Sequence, residues 1–379
     1  MELKILQTPV RFYPFVGGVE NYVYYLSKEM VKIGHQITVI CANESNSREE
    51  EIINGIKVKR LPYIGKIANT NITLKLPFTM LNIEFDVVHT HLPTPWSADW
   101  SAFISRIKKK PLVVTYHNDI TGSGIANYVA KFYNLTSLKF LLKQANRIIV
   151  TQSKYIDSSP YLNRYRNEIK VVPIGVDVNK FKPIKVDKNE NTIFFLSVLD
   201  KFHKYKGLDY LLNALKIVRR DICDVKLIIG GKGELINRYR RIVELLDLKN
   251  NVEFHGFIPN EKIVEYYNKC SIFVLPSISS AQEGFGIVLL EALACGTPIV
   301  STDIVGVAED VKENNAGIIV PPRNPDALAD AIIYLLENKD LARKMGENGR
   351  RLVEEKYTWK RIAEMTEKIY EEVIESRKQ

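Results

Sequence analysis

The sequence of 379 residues contains few cysteines and no long apolar segment. Its four cysteines, Cys41, Cys223, Cys270 and Cys295, are widely separated and form none of the closely spaced pairs that bind zinc or define a redox motif. We therefore predict that all four are reduced core residues. No apolar run approaches the roughly eighteen residues of a membrane-spanning helix. The first residues begin as a strand, without the layout of a signal peptide, so a cytoplasmic protein is expected.

Two sequence patterns that recruit metals or cofactors are also missing. No Asp-x-Asp sequence, a common source of carboxylates for a metal beside a diphosphate, occurs in the chain. The segment Gly230-Gly231-Lys232-Gly233 follows a predicted strand but lacks the third glycine of the dinucleotide-binding fingerprint. Such a turn lets a backbone approach a nucleotide or phosphate closely, and it also occurs as a simple tight turn. We predict no metal and no cofactor.

Positive charge is concentrated in the first half of the chain. Residues 1–185 contain 25 Lys and Arg against 14 Asp and Glu, a net charge of +11, whereas residues 186–379 contain 28 against 30, a net charge of −2. This asymmetry predicts that the first half meets an anionic surface or substrate, and the alternative is a solvated basic face. No nucleic-acid-binding motif accompanies the charge, so no nucleic acid partner is predicted.

Short apolar segments alternate with amphipathic helices along the whole chain. In the first half, a helix is predicted at 20–33 and strands at 3–7, 36–41, 86–89, 112–116 and 147–151. The series restarts at Thr192, with helices at 208–218 and 235–246 and strands at 192–196, 225–229, 252–255 and 272–275. Pro173 and Gly175 mark a hinge between the halves. This alternation favours parallel sheets and predicts an α/β protein with two doubly wound, Rossmann-like domains.

Residues 283–298, EGFGIVLLEALACGTP, carry the strongest signal for a functional site. The Gly-Phe-Gly sequence at 284–286 begins an apolar helix that Gly296 ends. Inside this helix Glu291 is the one charged residue, and an ionised carboxylate is costly to bury without a partner. Glu283 stands just before the helix, where glycines leave backbone N–H groups open to an anion. The pattern predicts a site for a nucleotide-sugar, with a structural ion pair at Glu291 as the alternative.

Seven short motifs follow one another along nearly the whole chain. They are Gly17-Gly18-Val19-Glu20, Asp86-Val87-Val88-His89-Thr90-His91, Val114-Thr115-Tyr116-His117, Pro173-Ile174-Gly175-Val176-Asp177, Tyr205-Lys206-Gly207, the Glu283 to Glu291 segment and Tyr357-Thr358-Trp359. Each motif is weak alone, but their order resembles that of the retaining family 4 glycosyltransferases (glycosyltransferase group 1). The resemblance implies the GT-B fold, in which two Rossmann-like domains face each other across a cleft.

The same resemblance implies a division of labour between the domains. Residues 1–172 are expected to form the acceptor-side domain, to which a final helix returns, so that residues 359–379 belong to it as well. Residues 173–358 are expected to bind the nucleotide-sugar donor. From the sequence alone the last segment shows only apolar residues at helical spacing.

The resemblance also assigns roles to residues of the second half. Lys206 is expected to bind the donor diphosphate, and Glu291 to accept hydrogen bonds from the ribose hydroxyls. Glu283 is expected to contact hydroxyls of the transferred sugar and its departing phosphate. Backbone amides are expected to assist it at Gly284, Phe285 and Gly286.

Two further donor-binding residues are expected in the second half. Related enzymes pair the diphosphate lysine with an arginine five or six residues earlier, and those positions here hold Lys201 and Asp200. We expect Lys201 to supply the second cation, with a run of surface lysines as the alternative. Gly231 is expected to let the glycine-rich turn approach the nucleotide.

In the first half, Gly17 and Gly18 resemble the loop that closes over the diphosphate and shapes the acceptor site, with a simple turn as the alternative. His117 stands at a predicted strand end near Asp119 and resembles the active-site histidine that contacts the donor sugar. A purely structural histidine is the alternative. His89 and His91 are also placed after a strand and are interpreted as packing or acceptor-side groups.

Together these residues predict a hexosyltransferase that moves a sugar from a UDP- or GDP-linked donor to an acceptor with the anomeric configuration retained. By family analogy the leaving diphosphate helps to deprotonate the acceptor, Lys206 and a helix N-terminus stabilise the developing charge, and Glu283 and His117 position the donor. The alternatives are a sugar phosphorylase or nucleotide-sugar epimerase on the same scaffold, a glycosidase with two carboxylates, and a non-catalytic sugar-binding protein.

Residues 125–144, IANYVAKFYNLTSLKFLLKQ, combine lysines with aromatic and leucine side chains, close to the basic run at 108–110. This composition suits peripheral binding to an anionic membrane and predicts a lipid-linked acceptor at the inner face of the cell membrane. A core helix with its lysines on the wet side is the alternative.

Overall fold

The computed structural model describes residues 1–15, 17–44, 47–67, 70–120, 124–280 and 282–377. The chain forms two compact units, one from residues 1–175 with 359–379 and the other from residues 176–358. The first boundary lies three residues after the predicted one, and the second falls at the predicted position. Each unit contains its own parallel sheet with helices around it.

The first unit contains an eight-stranded sheet and a separate two-stranded sheet. In chain order its strands are β1 (Lys4–Thr8), β2 (Gln36–Ala42), β3 (Glu50–Ile53), β4 (Ile56–Leu61), β5 (Lys66–Ile67), β6 (Thr70–Asn71), β7 (Val87–Leu92), β8 (Leu112–Tyr116), β9 (Arg147–Val150) and β10 (Ile169–Val171). The order across the large sheet is β10-β9-β8-β7-β1-β2-β4-β3, and only the β3–β4 edge pair is antiparallel. The chain therefore reverses its direction of travel across the sheet between β1 and β7.

Helices pack around this sheet, and some of them lie directly on its strands through an apolar stripe. They are α1 (Gly18–Lys32), α2 (Leu76–Leu81), α3 (Ser97–Ile107), α4 (Ile125–Leu135), α5 (Ser137–Gln144) and α6 (Lys154–Ser158). In α1 the buried stripe consists of Tyr22, Leu26 and Met30, spaced four residues apart. The central strands are buried on both faces, so β8 is apolar at most positions although it is a strand.

The second unit is built on a six-stranded sheet in which all neighbouring strands are parallel. Its strands are β11 (Thr192–Leu196), β12 (Lys226–Gly230), β13 (Val252–Gly256), β14 (Ile272–Leu275), β15 (Ile299–Thr302) and β16 (Gly317–Val320). Its helices are α7 (Leu208–Asp221), α8 (Ile236–Leu245), α9 (Ile263–Lys269), α10 (Ile287–Ala294), α11 (Ala308–Glu313), α12 (Pro325–Glu337) and α13 (Lys339–Lys356). The strand order is β13-β12-β11-β14-β15-β16, so here the chain reverses between β11 and β14.

The last helix, α14 (Trp359–Glu375), belongs to the first unit. Its apolar stripe is buried there, and Glu367 of α14 bonds to His35 at 2.9 Å. The Trp359 ring stacks on Tyr25 of α1 at 5.4 Å. A helix thus occupies most of the predicted last segment and packs in the first unit. None of the helices in the described part of the chain is both long and apolar enough to span a membrane.

Two details differ from the sequence-based expectations. Cys223 is exposed, whereas the other three cysteines are buried as predicted. It follows α7 at the surface, where the chain turns toward β12. His89 and His91 lie inside β7, not after it, because β7 continues to Leu92. Both imidazoles are fully buried, which makes them core groups of the first unit.

Candidate active site

The site in the second unit forms where its sheet reverses direction. Neighbouring strands β11 and β14 send their carboxyl-terminal loops to the same edge, and ligands of open α/β sheets bind at this position. The loop after β11 carries Lys206, and the loop after β14 carries Glu283. The two loops are joined by a hydrogen bond from the Ile278 N–H to the Tyr205 carbonyl at 2.8 Å.

Lys206 and Glu283 form a buried ion pair at this edge. The Lys206 Nζ donates to both Glu283 carboxylate oxygens, at 2.9 and 2.8 Å. Ser277, two residues after β14, donates a hydrogen bond from its hydroxyl to Glu283 Oε2 at 2.5 Å. The Glu283 side chain is only 2% exposed, so the carboxylate depends on these donors for its solvation. The structure thus brings together two residues that are 77 positions apart in sequence.

Glycines permit the close packing of these loops. Gly207 has a positive φ of 80°, and a Cβ at this position would overlap the carbonyl group of Pro276. In the same way Gly231 packs against the backbone of Ser197, and its N–H donates to the Gly256 carbonyl at 2.6 Å. The glycine-rich turn after β12 is therefore a tightly packed part of the same edge.

The start of α10 offers backbone donors beside this ion pair. Gly286 is the N-cap residue and has a left-handed backbone, with φ of 83°. The N–H groups of Phe285 and Gly286 have no hydrogen-bond partner among the described residues. The Phe285 ring is buried and packs edge-on against Tyr357 at 5.7 Å, so only its backbone is available to a ligand. Gly284 completes the turn, with open space where a Cβ would lie.

Glu291 projects from the second turn of α10 and is partly buried. Its Oε2 accepts a hydrogen bond from the Tyr267 hydroxyl at 2.8 Å. Burial raises the pKa of Glu291 to about 7, although the Tyr267 hydrogen bond and the charge of Lys180 oppose the shift. No salt bridge to Glu291 is formed within the described part of the chain. The structural ion pair considered as an alternative is therefore absent there.

Lys201 lies at the same edge but in a different environment. Its side chain is 73% exposed, and its Nζ is 3.7 Å from Glu234 in the glycine-rich turn after β12. The neighbouring Asp200 holds His203 through Oδ1, which accepts from the His203 N–H at 2.9 Å and lies 2.7 Å from Nδ1. Lys201 is thus an exposed surface cation, and its role toward a diphosphate stays a prediction.

In the first unit, His117 directly follows β8 and lies near the reversal point of that sheet. Its backbone N–H donates to the Leu92 carbonyl at 3.1 Å, and its ring Nε2 lies 3.4 Å from His91 Nδ1. The edge of the Tyr22 ring packs against the imidazole at 4.9 Å. Burial lowers the pKa of His117 to about 4, so the ring is neutral at pH 7. Asp119 contacts Tyr116 instead of His117. Its Oδ1 accepts a hydrogen bond from the Tyr116 hydroxyl at 2.5 Å.

Gly17 and Gly18 lie at the start of α1, which follows β1 at the same reversal point. Gly17 is the N-cap, and its carbonyl accepts from the Asn21 N–H at 2.9 Å. The carboxylate of Glu20 folds back over Gly17, so a Cβ there would overlap it. Arg11 pairs with that carboxylate at 3.0 Å. Open space surrounds the position of a Cβ at Gly18.

Two family comparisons cover most of the chain. The sequence model described as glycosyltransferase family 4 matches residues 16–180, and that described as glycosyl transferases group 1 matches residues 178–352. The D-rhamnosyltransferase WbpZ of Pseudomonas aeruginosa is 30% identical over 88% of this chain and 86% of its own. The chain belongs to the family 4 glycosyltransferases.

Further relatives agree with this assignment. A phosphatidyl-myo-inositol mannosyltransferase of Mycobacterium leprae is 26% identical over 95% of this glycosyltransferase and 94% of its own length. The structure of HepE from Anabaena in complex with UDP matches with a TM-score of 0.76 at 19% identity, covering 98% of this chain and 100% of that one. The glycosyltransferase therefore has the GT-B fold, and the expected fold class is confirmed.

Several residues of the glycosyltransferase site were not predicted from its sequence. Ser277 and Tyr267 position the two carboxylates, but they belong to the loop after β14 and to α9, where nothing in the local pattern distinguishes them. Phe257 is exposed just after β13, and Lys232 of the glycine-rich turn lies over its ring at 5.6 Å. An aromatic residue directly after a strand was the available signal. No group of three or more His, Cys, Asp or Glu arranged for a metal occurs among the described residues.

Proposed function

We propose that the enzyme transfers a sugar from a UDP- or GDP-linked donor to a hydroxyl acceptor with the anomeric configuration retained. The observation that carries this proposal is the Lys206–Glu283 pair beside the open N–H groups of Phe285 and Gly286. A cation and backbone donors suit a diphosphate, and a carboxylate suits sugar hydroxyls. Family membership favours transfer over the phosphorylase, epimerase, glycosidase and binding-protein alternatives.

Counting hydrogen bonds assigns separate tasks to Lys206 and Glu283. An ionised carboxylate has about four lone-pair sites, and an ammonium group has three N–H donors. Lys206 and Ser277 occupy three of the lone-pair sites of Glu283, which leaves one on Oε1 for a sugar hydroxyl. Lys206 spends two donors on Glu283 and keeps the third for a phosphate oxygen.

Charge at the leaving group is stabilised by fixed donors in this proposal. Because the Lys206–Glu283 pair is neutral as a whole, the N–H groups at the start of α10 supply the additional positive potential that the leaving diphosphate requires. Lys201 is proposed to add an exposed cation once the diphosphate is bound. We expect these groups to act without a metal, since together they supply the positive potential that a metal would otherwise provide.

The nucleoside part of the donor is proposed to bind along the same edge. Glu291 accepts hydrogen bonds from the ribose hydroxyls in its ionised form, while Tyr267 holds the carboxylate in place. Phe257 and Lys232 provide an exposed aromatic face next to the glycine-rich turn, which suits stacking of a nucleobase. Gly231 keeps that turn close to the sheet edge. The donor roles of Gly17, Gly18 and His117 in the first unit stay predictions.

A donor screen and a product analysis test this proposal. Thermal unfolding with UDP, GDP and their sugars identifies the base, because a ligand at a hundred times its Kd stabilises by about 2.7 kcal/mol. With the donor so identified, we expect release of nucleoside diphosphate only when an acceptor is added, and a product with the donor's anomeric configuration by NMR. Inversion at the anomeric carbon, or equal release without acceptor, would contradict the proposal.

We further propose that the acceptor is lipid-linked and that α4 holds the enzyme at the inner face of an anionic membrane. Tyr128, Phe132 and Leu135 form one face of this helix and are 75%, 71% and 70% exposed. Lys131 and the lysines of α5, Lys139 and Lys143, are also exposed. An apolar face with basic neighbours suits insertion at an anionic surface. The name of the phosphatidyl-myo-inositol mannosyltransferase relative supports this choice of acceptor.

Vesicle binding tests the membrane proposal. A Phe132→Ser/Leu135→Ser double variant is expected to lose co-sedimentation with vesicles rich in anionic lipid, and binding of the wild type is expected to fall with salt. The matched control is Leu245→Ser, which removes an exposed leucine of α8 in the second unit. Equal, negligible binding of the wild type to neutral and anionic vesicles would contradict the membrane proposal and favour a soluble acceptor.

A further inference from the structure

Behind His117, the first unit contains a continuous group of buried polar side chains. Gln7 of β1, His89 and His91 of β7, Thr115 of β8 and Tyr370 of α14 are all fully buried. They come from three adjacent strands and the last helix, so the sheet registers place them side by side. Polar groups at such depth are retained only when their hydrogen bonds are satisfied.

The imidazoles of His89, His91 and the adjoining His117 are all neutral at pH 7. Burial lowers the pKa of His89 to about 3 and that of His117 to about 4, and it lowers the pKa of His91 well below its ordinary value. A neutral imidazole has one N–H donor and one acceptor nitrogen. The partner of one nitrogen therefore decides what the other nitrogen does.

Gln7 decides the state of His91. The Gln7 carbonyl oxygen Oε1, which can only accept, lies 2.8 Å from His91 Nε2. His91 must therefore carry its proton on Nε2, and its Nδ1 is left as an acceptor. The Gln7 amide nitrogen faces the other way, 3.4 Å from both the Tyr370 hydroxyl and His89 Nδ1.

The same logic extends to His117. His91 Nδ1, now an acceptor, lies 3.4 Å from His117 Nε2, so His117 donates from Nε2. Its Nδ1 then has the lone pair, and this atom has no hydrogen-bond partner among the described residues. His89 takes no part in this path, because its Nδ1 lies 2.6 Å from the Tyr370 hydroxyl and its Nε2 lies 2.7 Å from the Thr115 hydroxyl.

We propose that Gln7 is a positioning residue that fixes the tautomer of His117 through His91, so that His117 presents Nδ1 as a hydrogen-bond acceptor for a substrate hydroxyl. His117 in this state acts as neither a proton donor nor a cation toward the sugar. The consequence for turnover rests on the proposed function, whereas the tautomer is a property of the unliganded first unit.

The tautomer is tested directly by ¹⁵N NMR. The chain has six histidines, so the intact enzyme labelled at the imidazole nitrogens gives few ring signals, and His117→Gln identifies those of His117. We expect a protonated Nε2 and an unprotonated Nδ1 for His117 in the wild type at pH 7. A protonated Nδ1, or a mixture of tautomers, would overturn the proposal whatever the substrate is.

A pair of variants tests the role of Gln7. Gln7→Met keeps the volume but removes the acceptor of His91, so the two tautomers of His117 are expected to interconvert. Tyr370→Phe is the control, because it removes a buried hydroxyl of the same group while leaving the Gln7–His91 bond in place. Its His117 signals are expected to match those of the wild type. An unchanged tautomer in Gln7→Met, with native-like thermal unfolding, would overturn the proposal.

Measurements of sugar-transfer kinetics then distinguish the positioning role of Gln7 from the proposed function. In Gln7→Met we expect kcat/KM for sugar transfer to fall about tenfold, since one hydrogen bond to the substrate is weakened. Nucleoside diphosphate affinity is expected to be unchanged, because that ligand lacks the sugar. If the tautomer changes but turnover does not, His117 is not a substrate contact and the positioning role is overturned. If no glycosyl transfer occurs in the wild type, the proposed function fails while the NMR result stands.

Discussion

Glu291 shows how one residue can oppose stability and still be useful. It is placed on an otherwise apolar helix with Tyr267 as its hydrogen-bond partner, and burial raises its pKa to about 7. A carboxylate that resists ionisation destabilises the folded enzyme at neutral pH, and a ribose with two hydroxyl donors would supply the missing hydrogen bonds. Removing this carboxylate is therefore expected to raise the stability of the enzyme and to weaken ligand binding.

We expect Glu291→Gln to be more stable than the wild type above pH 7. The unfolded carboxyl ionises near its ordinary pKa of 4.5 and the folded one near 7, so wild-type stability falls as the pH rises between these values. Glutamine removes this fall and should raise the free energy of unfolding by about 3 kcal/mol at pH 8. Urea unfolding at pH 5 and pH 8 measures the difference.

The same variant is expected to bind nucleoside diphosphate about 10- to 100-fold more weakly at pH 8, because hydrogen bonds to a charged group are lost. Titration calorimetry from pH 6 to pH 8 measures the affinity of both proteins. The wild-type affinity should rise with pH more steeply than that of Glu291→Gln. The phosphate of the ligand titrates equally in both experiments, so the difference between the two proteins reports on Glu291. Equal affinities at pH 8 would remove Glu291 from the ribose site.

Lys206 and Glu283 allow structure and catalysis to be distinguished. Lys206→Met leaves a buried carboxylate without its cation and is expected to cost about 3 kcal/mol of stability. The double variant Lys206→Met/Glu283→Gln removes both charges and should recover most of that loss. Turnover should stay at least about 100-fold below wild type in both. Recovery of turnover together with stability would mean that the pair is only structural.

At the scale of elements, the candidate site in the second unit depends on how closely the loops after β11 and β14 pack. Gly207 and Gly256 both have positive φ, 80° and 66°, but only Gly207 faces backbone, namely the Pro276 carbonyl. A side chain at Gly207 must therefore push apart the loops that carry Lys206 and Glu283. The ion pair and the loop packing are parts of one arrangement.

Gly207→Ala and Gly256→Ala form a matched pair for this idea. Both carry the penalty of a left-handed backbone, about 1–2 kcal/mol, but only Gly207→Ala also forces the loops apart. We expect Gly207→Ala to lower both the melting temperature and nucleoside diphosphate affinity. Gly256→Ala should lower mainly the melting temperature. Similar affinities in the two variants would contradict the importance of loop spacing.

The central strands were predictable because parallel strands buried on both faces are continuous apolar runs. The predicted bounds of β8, β11 and β14 agree with the structure. The β3–β4 edge was not predicted, since charged residues at its solvent-facing positions interrupt the continuous apolar runs by which the central strands were found. Strand β7 was predicted too short, because His89 and His91 look like a strand end until their buried partners are known.

The same limit applies to the site. Short-range patterns and the family resemblance selected Lys206, Glu283 and Glu291 as candidates, because each is an unusual residue beside glycines or inside an apolar helix. Their pairing was not predictable, since Lys206 bonds to Glu283 across 77 positions and Tyr267 to Glu291 across 24. The exposed face of α4 likewise depends on tertiary packing, because α5, with a similar composition, buries its leucines.

For the whole molecule, we expect activity to persist in excess EDTA. The chain lacks an Asp-x-Asp motif, and Lys206 lies beside the open N–H groups at the start of α10. Charge on the leaving diphosphate is then neutralised by the protein itself. Turnover measured before and after EDTA, with magnesium and manganese added back, tests this. Full loss in EDTA with recovery on either metal would contradict the expectation.

The return of α14 to the first unit bears on how the protein is made. This unit is divided in sequence, because its last helix is synthesised only after all of residues 176–358. During synthesis on the ribosome, all residues of the second unit are therefore made before the last residues of the first unit. Until then the faces of Tyr22 and His89 that contact α14 stay uncovered. The unit that contains the basic first half of the sequence is thus completed last, after the whole of the second unit has been synthesised.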